Sequence, residues 1–298
     1  MFLITGATGF IGRHLVPHLV EMGHSVRVLL RPSPLTPLLP EKVPVEVVIC
    51  APSDERGIQS ALKGVSHVIH LASAEHSESP EIFLSQEKAF AEILVQAALR
   101  SRVERFIYLS HLGADRLSAF PALQAKGWVE KIILQSEVPY TIVRSALVFG
   151  AGDHFTLPVA TAMRKSPSVF FLPGEGRVSL QPLWIGDLVM ALSLLLDDPR
   201  AENQVFSIGG PEYLTFYEVC RSIRDFLGLR RVFISLSPGL LRFFSRKYST
   251  RRQSMFLPLY LLDYLAADRI TSLDTLPRFL GIMPERFTHR LHYLKAAG

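Results

Sequence analysis

The fold is decided by the stretch Phe2-Leu3-Ile4-Thr5-Gly6-Ala7-Thr8-Gly9-Phe10-Ile11-Gly12, in which an apolar run leads into three spaced glycines. An amphipathic segment follows, so the order predicts a buried strand, a tight turn and the N-terminus of a helix. A helix N-terminus presents free backbone N–H groups to an anion, and glycines let the anion approach the backbone. We therefore expect a dinucleotide pyrophosphate here, rather than a glycine turn without a ligand. The expected contacts share the turn and the first helical turn: Gly6, Thr8, Gly9, Phe10, Ile11 and Gly12.

The composition indicates a globular protein. The chain has 298 residues, of which 48% are hydrophobic and 20% charged, enough for a large α/β domain or a main domain with a small lobe. Its two cysteines, Cys50 and Cys220, are far apart, which favours free thiols in a reducing compartment. The first residues lack the charged segment of a signal peptide, and no apolar run approaches the roughly 20 residues of a membrane span. We therefore expect a cytoplasmic protein.

The positive charge of the chain is unevenly distributed. The net charge is +5, and the excess lies in one short segment that contains Arg242, Arg246, Lys247, Arg251 and Arg252. The rest is close to balanced, so no nucleic-acid partner is expected. Apolar residues border the cations throughout 240–262, which is typical of a peripheral contact with an anionic membrane or of docking to a hydrophobic partner. The alternative is an ordinary lobe with solvated arginines, since Pro258 and Asp263 interrupt the apolar run.

Strand and helix periods alternate along the first half of the chain, which predicts a parallel sheet with helices on both faces. The predicted strands are 2–5, 25–30, 45–49, 65–71, 105–109 and 140–143, and the predicted helices are 10–22, 58–62, 79–100 and one centred on 126–135. Such units wind into a doubly wound Rossmann sheet that binds ligands at the carboxyl ends of its strands. We expect a Rossmann domain for NAD(P) over 1–150. We expect the interleaved remainder of the sheet and a smaller C-terminal α/β lobe, for a substrate or a partner, over 151–298.

Some local signals predict helix ends and irregularities. Pro17 removes a backbone hydrogen bond inside the first helix and should kink it. Asp187 resembles the N-cap of a helix that runs to Leu196. Thr215 and Glu218 have the spacing of a capping box.

The residue after the second strand favours NADP(H) over NAD(H). In NAD-binding units, an acidic residue about 20 positions after the glycines holds the ribose hydroxyl. Here Arg31 occupies that place, and an arginine can pair with a 2′-phosphate. The alternative is that Arg31 is solvated or stacks on the adenine.

Several segments beyond the glycines carry a family resemblance. They are His70-Leu71-Ala72, the run 106–114, the run 140–144, Phe149-Gly150, the run 181–187 and Gly209-Gly210-Pro211. With the Gly-x-x-Gly-x-x-Gly spacing, they resemble the short-chain dehydrogenase/reductase superfamily in its extended and atypical branches, over about 210 residues. Among atypical members, the chain resembles NmrA-like proteins and the NADPH-carrying accessory subunit of respiratory complex I. The resemblance implies cofactor contacts at Leu71, Ala72 and Ser73.

The same resemblance implies a catalytic pattern from which this chain departs. The superfamily uses a Tyr four residues before a Lys, which also holds the nicotinamide ribose, and a Ser that orients the substrate. Lys126 matches the lysine, but Ala122 stands at the tyrosine position and His111 at that of the serine. Ser110 lies one residue too early, on the other face of the strand.

Three interpretations of the site remain open. The protein uses NADP(H) as a structural or sensing group; or His111 replaces the missing acid/base; or hydride transfer draws its proton from solvent. Atypical relatives mostly bind cofactor without known turnover, whereas extended members include nucleotide-sugar epimerases and dehydratases. The resemblance therefore implies an NADP(H)-binding protein of sensing, assembly or non-standard reductase type, with an oxidoreductase or epimerase/dehydratase as the alternative.

We expect no metal site. His14 and His18 have the i, i+4 spacing of a two-histidine ligand pair, but no glutamate completes a metalloprotease pattern. His70, His76 and His111 could meet at the strand ends, where no acidic or thiol ligand accompanies them.

Overall fold

The computed structural model describes residues 1–33, 43–73, 80–248 and 255–296. The chain forms two compact units. Unit 1 contains Met1–Ser145 and Leu188–Ser207, and unit 2 contains Ala146–Asp187 and Ile208–Gly298.

The helices and strands alternate along the chain as expected. The strands are β1 (Phe2–Thr5), β2 (Val26–Leu30), β3 (Glu46–Ile49), β4 (His67–His70), β5 (Arg105–His111), β6 (Tyr140–Ser145), β7 (Val148–Phe149), β8 (Val169–Pro173), β9 (Ser179–Leu180), β10 (Leu183–Trp184), β11 (Gln204–Ile208), β12 (Leu214–Thr215) and β13 (Val232–Leu236). The helices are α1 (Phe10–Glu21), α2 (Glu55–Ala61), α3 (Pro80–Arg100), α4 (Pro121–Leu134), α5 (Thr156–Lys165), α6 (Ile185–Leu196), α7 (Phe216–Phe226), α8 (Pro238–Tyr248), α9 (Leu259–Tyr264) and α10 (Tyr293–Ala296).

Unit 1 is built on a seven-stranded sheet with the order β11-β6-β5-β4-β1-β2-β3. The pairings from β3 to β6 are all parallel. Because β2 and β4 flank β1, the order reverses there, and a topological switch point lies at the carboxyl ends of β1 and β4. Leu3, Ile4, Phe106 and Ile107 are fully buried, as expected for strands covered on both faces. The predicted doubly wound α/β sheet is confirmed.

Unit 2 supplies the C-terminal α/β lobe. It contains the two-stranded sheets β7–β10, β9–β12 and β8–β13. Its core is rich in phenylalanine, including Phe149, Phe155, Phe170, Phe216 and Phe287. Within the described ranges, no helix combines the length and the apolar character needed to cross a bilayer.

The local predictions have mixed outcomes. α1 continues past Pro17, as predicted, and the kink there stays a prediction. The capping box is confirmed, since Glu218 N–H donates to Thr215 Oγ1 and Thr215 N–H donates to Glu218 Oε2. The prediction that Asp187 is an N-cap is wrong. α6 begins at Ile185, so Asp187 lies in its first turn, where its carboxylate accepts the Glu285 N–H at 2.8 Å.

Candidate dinucleotide-binding site

Two glycines of the N-terminal turn are required by the protein's own packing. Gly6 has a φ of +74°, and a Cβ there would lie 2.6 Å from the backbone nitrogen of Ala72. A Cβ on Gly12 would lie 2.4 Å from the carbonyl oxygen of Gly6 and 2.6 Å from Cα of Ala7. Side chains at either position would displace backbone atoms, so these glycines bring the turn against the end of β4 and α1 against the turn.

Gly9 is different, because the fold constrains this position less tightly than it constrains Gly6 and Gly12. Its φ of −74° and ψ of 174° suit any residue. Among the described residues, a Cβ would approach within 4 Å only the Gly6 carbonyl oxygen, at 3.2 Å. Gly9 is also exposed. A side chain here would fill the space directly in front of the helix N-terminus, which is where a bound anion must approach.

The first turn of α1 has donors available for that anion. Gly9 is the N-cap residue, and no side chain caps the helix. The first intrahelical bond of this turn runs from Arg13 N–H to the Gly9 carbonyl at 3.0 Å. The N–H groups of Phe10, Ile11 and Gly12 therefore lack intrahelical acceptors. A pyrophosphate, which offers charged oxygens to several N–H groups at once, fits this arrangement.

The segment after β4 lies against the glycine turn. Leu71 N–H donates to the Thr5 carbonyl at 3.2 Å, and Ala72 N–H donates to Thr5 Oγ1 at 3.3 Å. Ser73 follows directly and is partly buried. The structure thus places Leu71 and Ala72 against the glycine turn, and the contact of 71–73 with a cofactor stays a prediction.

Arg31 lies at the same edge of the sheet. Thr5 is paired with Leu29 in the parallel register of β1 and β2, so Arg31 follows the strand end beside the glycine turn. Its side chain is exposed. The neighbours from Leu29 to Ser33 include no acidic residue that could hold a ribose hydroxyl.

The buried His70 is hydrogen-bonded to Thr5 at this edge of the sheet. Its Nδ1 is 2.7 Å from Thr5 Oγ1. The same hydroxyl accepts the Ala72 N–H, and the ring tautomer of His70 determines which atom donates in the bond between Oγ1 and Nδ1. Burial, together with the charge of Lys126, lowers the pKa of His70 to about 3, so the ring is neutral. Sequence reasoning considered His70 as part of the strand-end segment His70-Leu71-Ala72 and as a metal ligand, and it missed the hydrogen bond to Thr5.

No metal centre is assembled by the parts of the chain that the structure describes, since they contain no group of three His, Cys, Asp or Glu suited to one. His14 Nδ1 lies 2.9 Å from the Phe10 carbonyl oxygen. His76 lies outside the described residues.

Lys126 lies deep in unit 1, on the first half of α4. Its side chain is buried, and Nζ donates to the Leu109 carbonyl at 3.2 Å. The ammonium also lies 5.2 Å from the ring centroid of Tyr108. Ala122, which stands one turn earlier, offers only a methyl group. The lysine is therefore held near the carboxyl end of β5, next to the strand residue that precedes Ser110.

Ser110 belongs to a buried ion-pair cluster that sequence reasoning missed. Its Oγ donates to Glu130 Oε1 at 2.5 Å, and Arg144 donates to both Glu130 oxygens, at 2.9 Å from Nε and 2.5 Å from Nη2. This pairing with Glu130 raises the pKa of Arg144. His111, the last residue of β5, is half-buried and alternates to the opposite face from Ser110. The sequence contained a signal for this cluster, because Glu130 lies one helical turn after Lys126 and therefore on the same side of the predicted helix.

The motif segments of unit 2 have structural roles. The buried Gln181 donates through Nε2 to the Gly210 carbonyl at 2.7 Å and accepts the Thr271 N–H at 2.7 Å. A Cβ on Gly209 would lie 2.4 Å from the Gln181 amide carbon, and one on Gly210 would lie 1.9 Å from the Pro182 carbonyl oxygen. Gly209 therefore makes room for the Gln181 side chain, and Gly210 allows its segment to approach the backbone at Pro182.

Unit 2 also contains a cavity of about 590 Å³. Its walls combine charged residues with apolar ones, including Arg177, Val178, Arg242, Leu262 and Leu265. Both arginines are ion-paired, Arg242 with Asp263 at 2.5 Å and Arg177 with Glu175. A small molecule with an apolar part and a polar group fits such a lining.

Comparisons with known proteins agree with this geometry. A family model described as NAD(P)H-binding matches residues 6–152. The chain is 30% identical over 232 residues to subunit 9 of the mitochondrial NADH dehydrogenase [ubiquinone] 1 alpha subcomplex of Arabidopsis thaliana, covering 75% of this chain and 57% of that protein. It is 30% identical over 239 residues to the ceramide reductase of Caulobacter vibrioides, covering 80% of this chain and 74% of that protein. The crystal structure of gox2253 has 20% identity and a TM-score of 0.79, covering 100% of this chain and 97% of that chain, and it supports the fold.

Proposed function

Since this chain belongs to the short-chain dehydrogenase/reductase superfamily, among its atypical members, we propose that it is an NADP(H)-binding protein. Unit 1 holds the dinucleotide, and unit 2 receives a substrate or a partner. The observation that carries the proposal is Gly9, whose backbone conformation suits any residue and whose Cβ would meet only the Gly6 carbonyl oxygen, at 3.2 Å, among the described residues. Its position in front of the uncapped N-terminus of α1 is explained by a pyrophosphate.

The preference for NADP(H) rests on Arg31. The guanidinium is exposed beside the glycine turn, and a 2′-phosphate there would accept charge-assisted hydrogen bonds from it. The absence of an acidic residue between Leu29 and Ser33 removes the usual partner of the NAD ribose. In this proposal Lys126 holds the nicotinamide ribose, and residues 71–73 contact the cofactor from the end of β4.

The residues at and beside the usual catalytic positions favour cofactor binding in a sensing or assembly role over the usual reaction of the superfamily. A bound nicotinamide can supply a hydride, but a reductase also needs a proton donor near the substrate. Ala122 cannot donate one, and the Ser110 hydroxyl is directed to Glu130. His111 is the one residue of this set that could transfer a proton near neutral pH.

A non-standard reductase is the second candidate, and one observation favours it. The Caulobacter protein named ceramide reductase is 30% identical over 74% of its length. In this case His111 or solvent delivers the proton, and Lys126 positions the ribose. The epimerase or dehydratase alternative has no comparable support in the described site, because the Tyr–Lys pair is incomplete.

Cofactor titration tests the binding proposal. We expect NADPH to bind wild-type protein more tightly than NADH, and Arg31→Ala to weaken NADPH by about 10-fold while leaving NADH unchanged. Arg56→Ala removes an exposed cation from α2 and serves as the control. Equal affinities for NADPH and NADH in the wild type would contradict the NADP preference. Failure to bind either dinucleotide would contradict the whole proposal.

Turnover distinguishes the two candidates. NADPH oxidation is measured with quinones, aldehydes, nucleotide sugars and ceramide-class lipids as acceptors, in wild type and in His111→Ala. The sensing or assembly role predicts no acceptor-dependent oxidation. Acceptor-dependent oxidation in the wild type would replace it with the reductase. Its disappearance in His111→Ala, with NADPH affinity retained, would identify His111 as the proton donor, and its persistence would identify solvent.

A further inference from the structure

Helix α8 of unit 2 has an inner face that belongs to the core. Leu241 is buried, and Ser245 Oγ donates to the Leu257 carbonyl at 2.7 Å. Phe244 stacks on Phe256, with ring centroids 5.3 Å apart and planes 9° from parallel. The helix is therefore anchored through one side, and its orientation on unit 2 is determined by these contacts.

The outer face of α8 exposes large apolar side chains. Leu240 is 51% exposed and Phe243 is 62% exposed. They are three residues apart and lie on the same side of the helix. Phe243 contacts Phe244 edge-on, with ring centroids 5.6 Å apart, yet most of its side chain and about half of Leu240 stay in contact with water.

Cationic side chains extend the outer face of α8 toward its C-terminus. Arg246 and Lys247 are exposed in the last turn, and Lys247 is seven residues after Leu240. The helix contains no acidic residue. Arg242 lies at its flank, where its charge is offset by Asp263. In sequence, the cations continue with Arg251 and Arg252, which lie outside the described residues.

The apolar residues at 256–262 contribute little to this surface. Leu257, Leu261 and Leu262 are 2%, 1% and 4% exposed, and they belong to the core of unit 2. Phe256 is held in the stack with Phe244. The apolar run that suggested a longer contact is thus used mainly for folding. Among the described residues of 240–262, the exposed apolar and cationic side chains that lie side by side belong to α8.

We propose that the outer face of α8 docks this protein on an anionic lipid bilayer. Leu240 and Phe243 enter the boundary between headgroups and acyl chains, and Arg246 and Lys247 contact lipid phosphates. The occupant follows from charge complementarity: a net positive helix with apolar side chains between its cations matches a surface that offers negative charge above hydrocarbon. This inference is independent of the cofactor, because all of these residues belong to unit 2.

Vesicle flotation of the full chain tests the proposal. Vesicles of phosphatidylcholine with about one third phosphatidylserine are compared with phosphatidylcholine alone, at low and at high salt. We expect binding to the anionic vesicles only, reversed by high salt. At about 1 kcal/mol per cation, Arg246→Ala with Lys247→Ala should weaken binding about 30-fold. Leu240→Ser with Phe243→Ser should weaken it at least as much.

Matched controls come from unit 1. Lys63→Ala with Arg100→Ala removes two exposed cations, and Met22→Ser with Ile49→Thr removes two apolar side chains that are 50% and 61% exposed. These variants should bind vesicles as the wild type does. Thermal melts verify that every variant is folded.

Two results would overturn the proposal. One is a wild type that does not float with anionic vesicles at low salt, which would leave an acidic protein surface as the partner of α8. The other is equal flotation of the α8 variants and the controls, which would place the membrane contact elsewhere.

Discussion

Gly9→Ala separates the demands of the fold from those of the ligand. The new methyl group adopts an allowed backbone conformation and meets only the Gly6 carbonyl oxygen, at 3.2 Å, among the described residues. Alanine is a poorer N-cap than glycine, so the expected loss of stability is about 0.5–1 kcal/mol. For a unit of this size, that corresponds to a fall in Tm of about 1–4 °C.

The effect on the ligand should be much larger. A pyrophosphate oxygen that accepts backbone N–H groups of α1 must lie about 2.8 Å from their nitrogens. A methyl group on Gly9 fills the approach to those nitrogens and pushes the oxygen away. Loss of one charge-assisted hydrogen bond costs about 1.5–3 kcal/mol, so the Kd for NADPH should rise about 10- to 150-fold.

Isothermal titration with NADPH and thermal melts of the same preparation measure the two effects. Gly239→Ala, at a position of α8 where a Cβ meets no described atom within 4 Å, is the control for a glycine substitution in itself. A Gly9→Ala protein that binds NADPH within about 3-fold of the wild type would refute the role of Gly9 in ligand approach. A fall in Tm of more than about 10 °C would show that the fold requires this glycine.

The remaining predictions concern the glycine turn, the buried His70 beside it and a buried carboxylate of unit 2. Gly12→Ala should destabilise the protein by about 1–3 kcal/mol in denaturant titration, because its Cβ would lie 2.4 Å from the Gly6 carbonyl oxygen. The pKa of His70 is about 3 in the folded protein and about 6.5 in the unfolded chain. Between these two values only the unfolded state binds the proton, so the free energy of unfolding decreases as the pH is lowered below about 6.5. From pH 7 to 5 this should remove about 2 kcal/mol in the wild type, and an equally large loss in His70→Asn would contradict it. Asp153→Asn should cost about 2–4 kcal/mol in urea titration, since the buried carboxylate accepts hydrogen bonds from Gly150, Phe155, Leu157, Thr156 and Tyr293; wild-type stability would contradict this.

The parts of the fold that follow from local patterns were predictable from the sequence. Apolar runs such as 2–5 and 105–109 are buried strands because a parallel sheet covered on both faces needs apolar residues on both sides. The capping box at Thr215 and Glu218 was also predictable, since both partners lie within one helical turn. Such signals depend on neighbours in sequence and therefore need no knowledge of tertiary packing.

Features that depend on distant partners were not predictable in this way. Asp187 has the residue type of an N-cap, but α6 begins two residues earlier, at Ile185. The carboxylate of Asp187 instead accepts the N–H of Glu285, which is almost 100 residues away in sequence. The apolar residues at 255–262 resembled a surface for docking, yet Leu257 and Leu261 are core residues. Composition measures the tendency of a segment to leave water, and only tertiary structure determines whether the protein or a partner covers it.

The binding half and the chemical half of the candidate site depend on different elements of unit 1. The glycine turn is positioned by β1, α1 and the end of β4, and its bonds run between Thr5, His70 and Ala72. The positions of the usual catalytic groups lie on β5 and α4, where Ser110 is held by Glu130 instead. The two sets meet at His70, which stacks on Tyr108 of β5 with ring centroids 5.4 Å apart and whose pKa is lowered in part by the charge of Lys126 on α4. The backbone bonds of Gly9 run instead to Gly6 and Arg13, within the turn and α1. Gly9 therefore supports a cofactor more strongly than any residue here supports a reaction.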